Sequence, residues 1–389
     1  DEQELRTIGH SLQGKVNSLA IISVFSPITN EHEKKAGEIL KQELGNIPVS
    51  YSYEIGSLGL LERENATILN AALINVANTT AQGFLQALDN EGVRNASVYI
   101  CQNDGTLMGV DYARKYPILT IACGPTNSIR GASALSNVEN AIVLDVGGTT
   151  SDVGVIGNGF PRESSLAVEI GGVRTNFRMP DLVSIGLGGG TIIKQEDNEI
   201  KVGPESVGYK INEEALIFGG KVITATDIAV RLGLVELGNK DLVKDIPLDF
   251  AKRAHAKMMD MVEIAIDKMK VSKDPLPLIL VGGGSIIVSD EIPGVSTTIR
   301  PENFGVANAF GAAISQVSGE VDKLYTLDSL TREEALENAM QLAVEEAVTA
   351  GAIKETVNIV QKEDIPLAYL PGNATRIRVK AAGQMGYVK

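Results

Sequence analysis

The chain has 389 residues, 44% hydrophobic and 22% charged, the composition of a globular protein large enough for two or more domains. A net charge of −14 argues against nucleic acid or an anionic membrane as the main partner. With 4% aromatics and no Trp, base-stacking platforms are equally unfavoured.

No apolar run reaches membrane-spanning length and no signal peptide is visible, so a cytoplasmic location is expected. Cys101 and Cys123 follow strand-like runs and read as buried thiols in a reducing compartment. The opening residues, DEQELRTIGHSLQGK, read as a polar helix without an initiator Met.

Leu19 to Phe25 then reads as a buried strand, and Asn30 and Glu33 start a helix carrying Ala36, Ile39, Leu40 and Leu44. Val49, Tyr51, Tyr53 and Ile55 alternate as a half-buried strand should. A long helix is expected from about Leu60 to Leu88, with short strands at Ser97 to Cys101 and Ile118 to Ala122. The polar turn Gln102 to Leu107 follows a strand end, where α/β sheets hold ligands; a plain solvent turn reads equally well.

Two stretches of small residues, Cys123 to Ser136 and Ala307 to Gly319, suit either ordinary buried helices or a close helix crossing. Between them lies the most informative segment, AIVLDVGGTTSDVG, Ala141 to Gly154. A buried strand enters Asp145, Val146 and the pair Gly147-Gly148; Thr149, Thr150 and Ser151 follow, then Asp152 and a second apolar run. Glycines let backbone N–H groups approach an anion, and the hydroxyls add short donors. Carboxylates beside a phosphate call for a bridging Mg²⁺ or an oriented water. A plain β-hairpin fits the same residues. No GK[ST] occurs, so this is not a Walker loop.

Residues 171–220 are glycine-rich and include SIGLGGGT, Ser184 to Thr191. Helices resume at Thr226 to Leu234 and Leu248 to Lys270, with His255 expected on a solvated face; isolated His10, His32 and His255 make a His-centred triad improbable. A strand from Leu276 feeds Gly282, Gly283, Gly284 and Ser285, whose bare backbone suits a planar ligand such as adenine or a ribose. Thr331 and Glu334 form a capping box for a helix ending at Gly351, followed by strands in ETVNIVQ, IPLAYLP and ATRIRVKA, with a turn at Pro371-Gly372.

In this order, a small-residue helix, DVGGTT on a hairpin, a glycine-rich insert, LVGGGS and a second small-residue helix, the chain resembles the ATP-binding half of the actin, hexokinase and Hsp70 superfamily. Within it, GLLERENATILNAAL, CGPTNSIRGA, VLDVGGTTSDVG, SIGLGGGT, KVGPESVG, TDIAVRLG and DIPLAYLPGNATRIRVKA resemble the hydantoinase/oxoprolinase family, short hydantoinase A type. The resemblance covers essentially the whole chain and is more specific for family than for substrate.

It implies an α/β fold: actin-like, ribonuclease H-like lobes with mixed sheets flanked by helices. Residues 1–122 would be the remainder of an N-terminal lobe and 123–324 a second lobe with its insert at 171–220. Residues 325–389 would be a small C-terminal α/β appendage. The implied activity is ATP-dependent hydrolysis of a cyclic amide (a hydantoin, 5-oxoproline or related lactam) through phosphoryl activation of the carbonyl. A nucleotide-gated scaffold or a carboxylase subunit is the alternative.

By the same resemblance Gly147, Gly148, Thr149, Thr150 and Ser151 would hold the ATP phosphates, and Asp145 and Asp152 would be catalytic and ligate Mg²⁺. Gly188, Gly189 and Gly190 would line the cleft, and Gly282, Gly283, Gly284 and Ser285 would border the nucleoside. A second hydantoinase-type subunit is the implied partner, with homo-oligomerisation left open. The family also begins with another DxGGT loop in a segment of well over a hundred residues. This chain opens without it, so a truncated or proteolysed protein is expected, binding ATP weakly and turning over poorly.

Overall fold

The strand Ala141–Val146 lies inside a six-stranded mixed sheet. In this computed structural model every residue is described except 57, 165–167, 178, 198, 271–273, 329, 368–372 and 387–389. Ala141–Val146 runs antiparallel to Ser151–Gly157 and parallel to Leu278–Val281. Leu182–Ile185 continues the sheet on one side and Thr298–Ile299 on the other.

Both faces of the central strand are covered, which is why it reads as an unbroken apolar run. Ile142, Leu144 and Val146 share one core with Met258, Val262 and Ile266 of the helix Leu248–Met269. Ala141 and Val143 face the other way, toward Ile129 and Ala132 of the helix Cys123–Ser136. The described residues divide into two units, and these elements belong to the one formed by Ala122–Glu163 and Pro180–Ile314.

Within that unit the two small-residue stretches do cross. A Cβ on Gly131 would lie 1.9 Å from Ala307 O, and one on Gly311 would lie 1.9 Å from Asn127 O. The helices Cys123–Ser136 and Ala307–Ala313 therefore touch backbone to backbone, a contact only glycine permits at these positions.

The other unit comprises Asp1–Ile121, Ser164–Met179 and Ser315–Lys389. Its five-stranded sheet runs Asn358–Pro366, Thr375–Gly383, Val317–Tyr325, Leu107–Gly109, Tyr99–Cys101. The strands beyond residue 325 are thus built into a sheet shared with residues 99–109, because Thr375–Gly383 pairs along the whole of Val317–Tyr325. The capping box at Thr331 and Glu334 is formed, and its helix, Arg332–Thr349, seats Ala335, Ala339, Ala343 and Ala347 on that sheet. The expected turn at Pro371-Gly372 lies outside the described residues, as does the end of IPLAYLP.

Local expectations fail where a side chain captures the backbone. Val49–Tyr51 is a strand, but Ser52–Ile55 is helical rather than its continuation. The buried Glu33 carboxylate accepts from Ser52 N (2.8 Å), Tyr53 N (3.4 Å) and Ser52 Oγ (2.5 Å), which curls the chain. Pro117–Thr120 is a 3₁₀ turn, not a strand, with Ile118 N donating to Asn70 Oδ1 at 3.2 Å. The Gln102 to Leu107 turn is neither a solvent turn nor open to a ligand. Gln102, Asn103, Asp104 and Thr106 are buried, and Asp104 Oδ2 meets Lys380 Nζ at 2.7 Å.

Candidate phosphate-binding site

The hairpin after Leu144 places its two carboxylates side by side. Asp145 is paired with Asp152 across the ladder, and Asp152 with Ser184 on the next strand. Residues directly opposite on adjacent strands project from the same face, so Ser184, Asp152 and Asp145 form one row. The Ser184 hydroxyl donates to Asp152 Oδ1. Burial pushes both carboxyls up from the ordinary Asp range, opposed by a hydroxyl in each case, Ser128 for Asp145 and Ser184 for Asp152. The Asp152 charge raises Asp145 further.

Beyond the row the chain turns through Gly147 to Thr150, closed by Gly147 N donating to Thr150 O at 2.9 Å. Gly148, Thr149 and Thr150 are exposed. Among the described residues, the N–H groups of Gly148, Thr149 and Thr150 meet no hydrogen-bond acceptor, and neither threonine hydroxyl meets a partner. Ser151 differs: its buried hydroxyl donates to Leu187 O at 2.5 Å and is committed to holding the neighbouring loop.

The glycine loops close in on this turn from both sides. Gly189 N donates to Gly147 O (3.0 Å) and Gly190 N to Gly148 O (2.7 Å). A Cβ on Gly188 would sit 2.6 Å from Thr149 N. A Cβ on Gly284 would sit 2.3 Å from Gly147 O, and one on Gly282 (φ +82°) 2.2 Å from Asp145 Oδ1. Gly283 is exposed, with nothing near its Cβ position. Ser285 is buried, its hydroxyl accepting from Arg300 Nη1 at 3.0 Å. All three glycine loops therefore meet, while Ser151 and Ser285 turn inward as supports.

Several supporting residues give no clear sequence signal for that role. Thr226, at the start of the helix Ala225–Leu232, donates its N–H (3.0 Å) and hydroxyl (2.8 Å) to Gly189 O. Its neighbours Thr224 and Asp227 form a capping box. Asn308 Nδ2 donates to Gly124 O (2.8 Å) and Ser128 Oγ (3.1 Å), tying the helix crossing to the hydroxyl beside Asp145. His255 is half-buried, not solvated, with Nε2 3.2 Å from Ile287 O, and burial lowers its pKa.

Among the described residues no cluster of three or more His, Cys, Asp or Glu side chains could hold a metal, so the protein's own contribution would be the Asp145–Asp152 pair. Two carboxylates with the remaining positions left to phosphate and water suit Mg²⁺. No helix among the described residues is long and apolar enough to cross a membrane.

Residues 63–240 match the profile of the hydantoinase/oxoprolinase family. An uncharacterized protein of Methanocaldococcus jannaschii is 28% identical over 94% of this chain and 60% of its own length. The acetophenone carboxylase gamma subunit of Aromatoleum aromaticum is 27% identical over 60% of this chain and 33% of its own length. Caprolactamase subunit alpha of Pseudomonas jessenii is 24% identical over 88% of this chain and 54% of its own length. The solved structure of ATP-dependent caprolactamase from that organism superimposes with a TM-score of 0.77 at 18% identity, covering 100% of this chain and 67% of the other. That likeness shows the fold, the expected actin-like α/β architecture. The chain spans only part of each of these relatives, and its residues 63–240 carry the likeness to the hydantoinase/oxoprolinase family.

Proposed function

We propose that this chain is the ATP-binding part of an enzyme that opens a cyclic amide, with the turn Gly147 to Thr150 receiving the phosphates. The observation carrying this reading is the exposed turn itself, where the N–H groups of Gly148, Thr149 and Thr150 and both threonine hydroxyls meet no protein partner among the described residues while glycine loops pin the turn from both sides. Donors held rigid before the ligand arrives need no reorganisation when it binds.

In this reading Gly148 N, Thr149 and Thr150 donate to phosphate oxygens. Asp145 and Asp152 hold Mg²⁺, which neutralises phosphate charge when bound. Gly283 lies open beside the turn on the side assigned to the nucleoside. ATP supplies a phosphoryl group that makes an amide carbonyl a better electrophile. Ser184 and Ser128 keep the carboxylates oriented, and Thr226 fixes Gly189 so that the turn keeps its shape. The partner is a second subunit of the hydantoinase type, as the subunit names of the carboxylase and caprolactamase relatives suggest.

The acetophenone carboxylase relative favours a second reading, in which the same phosphoryl activation prepares a ketone for carboxylation. Phosphate release from ATP, measured with hydantoin, 5-oxoproline and caprolactam and then with acetone or acetophenone plus bicarbonate, separates the two. Stimulation by a lactam supports the amidase reading, and stimulation by ketone with bicarbonate replaces it. Calorimetry showing no binding of ATP with Mg²⁺ would remove the site assignment altogether.

A further inference from the structure

The segment Ser206 to Lys210 is fastened to the phosphate-binding turn and ends in a side chain that packs against almost nothing. Val207 N donates to Gly190 O (3.0 Å), Ser206 Oγ to Gly148 O (3.3 Å), and Gly208 N to Ser206 Oγ (3.1 Å). Gly208, at φ +54°, turns the backbone there, and a Cβ on it would lie 3.6 Å from Thr149 Oγ1. Tyr209 follows at 91% exposure, the highest among the large hydrophobic side chains described. Lys210 Nζ lies 6.0 Å from its ring centroid and only 3.9 Å from Glu214, a loose pair.

A tyrosine ring usually covers most of its apolar body against protein. Here the ring stays in water one residue from a glycine in contact distance of Thr149, on a segment pinned by backbone hydrogen bonds. Its position is fixed by the turn, not by packing of its own.

We propose that Tyr209 is a ligand-contacting residue whose ring stacks on the flat nitrogen heterocycle of the molecule bound at the Gly147 to Thr150 turn. Two sources share that chemistry, the adenine of ATP and the nearly flat ring of a cyclic amide such as a hydantoin, which is the lactam used below. The inference rests on reading the turn as a phosphate site. Tyr209 adds to it the contact that recognises the rest of the ligand.

The chain contains no Trp, so Tyr209→Trp installs a single fluorescent reporter. Its emission is titrated with ATP and Mg²⁺, with tripolyphosphate and Mg²⁺, and with lactam alone and after ATP. A shift with ATP but not tripolyphosphate identifies adenine as the partner, and a shift appearing only with lactam identifies the lactam; both support the proposal. Equal shifts with tripolyphosphate and ATP, or no shift while calorimetry records ATP binding, overturn it.

Tyr209→Ala, at so exposed a site, leaves the fold intact and weakens ATP or lactam binding on the order of tenfold, with Tyr209→Phe restoring it. Unchanged affinity in the alanine variant overturns the proposal. If wild-type protein binds neither ATP nor lactam, the reading of the turn fails first and this inference with it, a result distinct from binding that ignores Tyr209.

Discussion

Asp145 and Asp152 oppose each other across the hairpin ladder, each held by one serine hydroxyl and each driven by burial toward its protonated form. Two carboxylates held this way cost stability until a cation or a proton arrives. Removing one therefore tests function without dismantling the core. Asp145→Asn and Asp152→Asn are expected to keep wild-type circular dichroism, to melt no lower than wild type at neutral pH, and to lower substrate-stimulated ATP hydrolysis by roughly a hundredfold or more. A variant that hydrolyses ATP normally would take the metal-holding role away from that residue.

The raised carboxyl values fix the sign of a pH effect. A carboxyl whose folded value exceeds its unfolded one contributes stability that is fully present below the unfolded value and lost as pH rises through the folded value. Without metal, melting temperature should therefore fall across that window, starting from the ordinary Asp value of 3.8, by more in wild type than in Asp145→Asn. Mg²⁺ with nucleotide should reverse the loss at neutral pH and lose its effect on acidification earlier than an ordinary carboxylate site. Thermal melts against pH, with and without Mg²⁺ and ADP, read both effects.

Gly148 and Gly188 separate ligand contact from loop packing. Nothing lies within 4 Å of a Cβ on Gly148, whereas one on Gly188 would press against Thr149 N and Gly147 O at 2.6 and 2.7 Å. Gly148→Ala is expected to change stability by no more than about 0.5 kcal/mol. Its ATP affinity should still fall about tenfold, because the added methyl stands on the exposed face of the turn. Gly188→Ala should weaken both, by about 1–3 kcal/mol in stability. Urea melts paired with calorimetry decide it.

The helix crossing carries its own prediction. Alanine at Gly131 or Gly311 would improve helix propensity by about 1 kcal/mol at most. Each methyl, however, would arrive 1.9 Å from a carbonyl oxygen of the facing helix. Net destabilisation of about 1–3 kcal/mol is expected, measured by chemical denaturation. Because Asn308 links this crossing to Ser128, the same variants should also weaken nucleotide binding.

In the other unit, Lys380 and Asp104 form an ion pair with both side chains buried. Lys380→Met would leave the Asp104 carboxylate buried beside Thr106 and Ser318 without its lysine, at an expected cost of about 3–5 kcal/mol. Denaturation midpoints of the single variant and of Asp104→Leu with Lys380→Met give the comparison. The double variant should recover much of the loss.

Much of this protein was written locally. The strand, turn and strand around Gly147, the capping box at Thr331 and Glu334 and the long helix Leu60–Asn90 each depend on residues near one another in the chain, and each formed. Short-range steric and hydrogen-bond rules suffice there. Ser52 and Ile118 went otherwise because Glu33 and Asn70, distant in sequence, bind their backbone N–H groups.

The sequence alone therefore determined the family resemblance, the mixed α/β class and the positions of the glycine-rich turns. It could not say that Gly188 and Gly284 both press on the turn at Gly147, that Ser151 and Ser285 point inward, or that Tyr209 stands exposed beside Thr149. Those facts follow from register. Leu278–Val281 pairs in parallel with Ala141–Val146, and Leu182–Ile185 in antiparallel with Ser151–Gly157, and that pairing carries each loop to the same sheet edge. Which residues meet at an edge is settled by long-range strand pairing, and no local pattern encodes it.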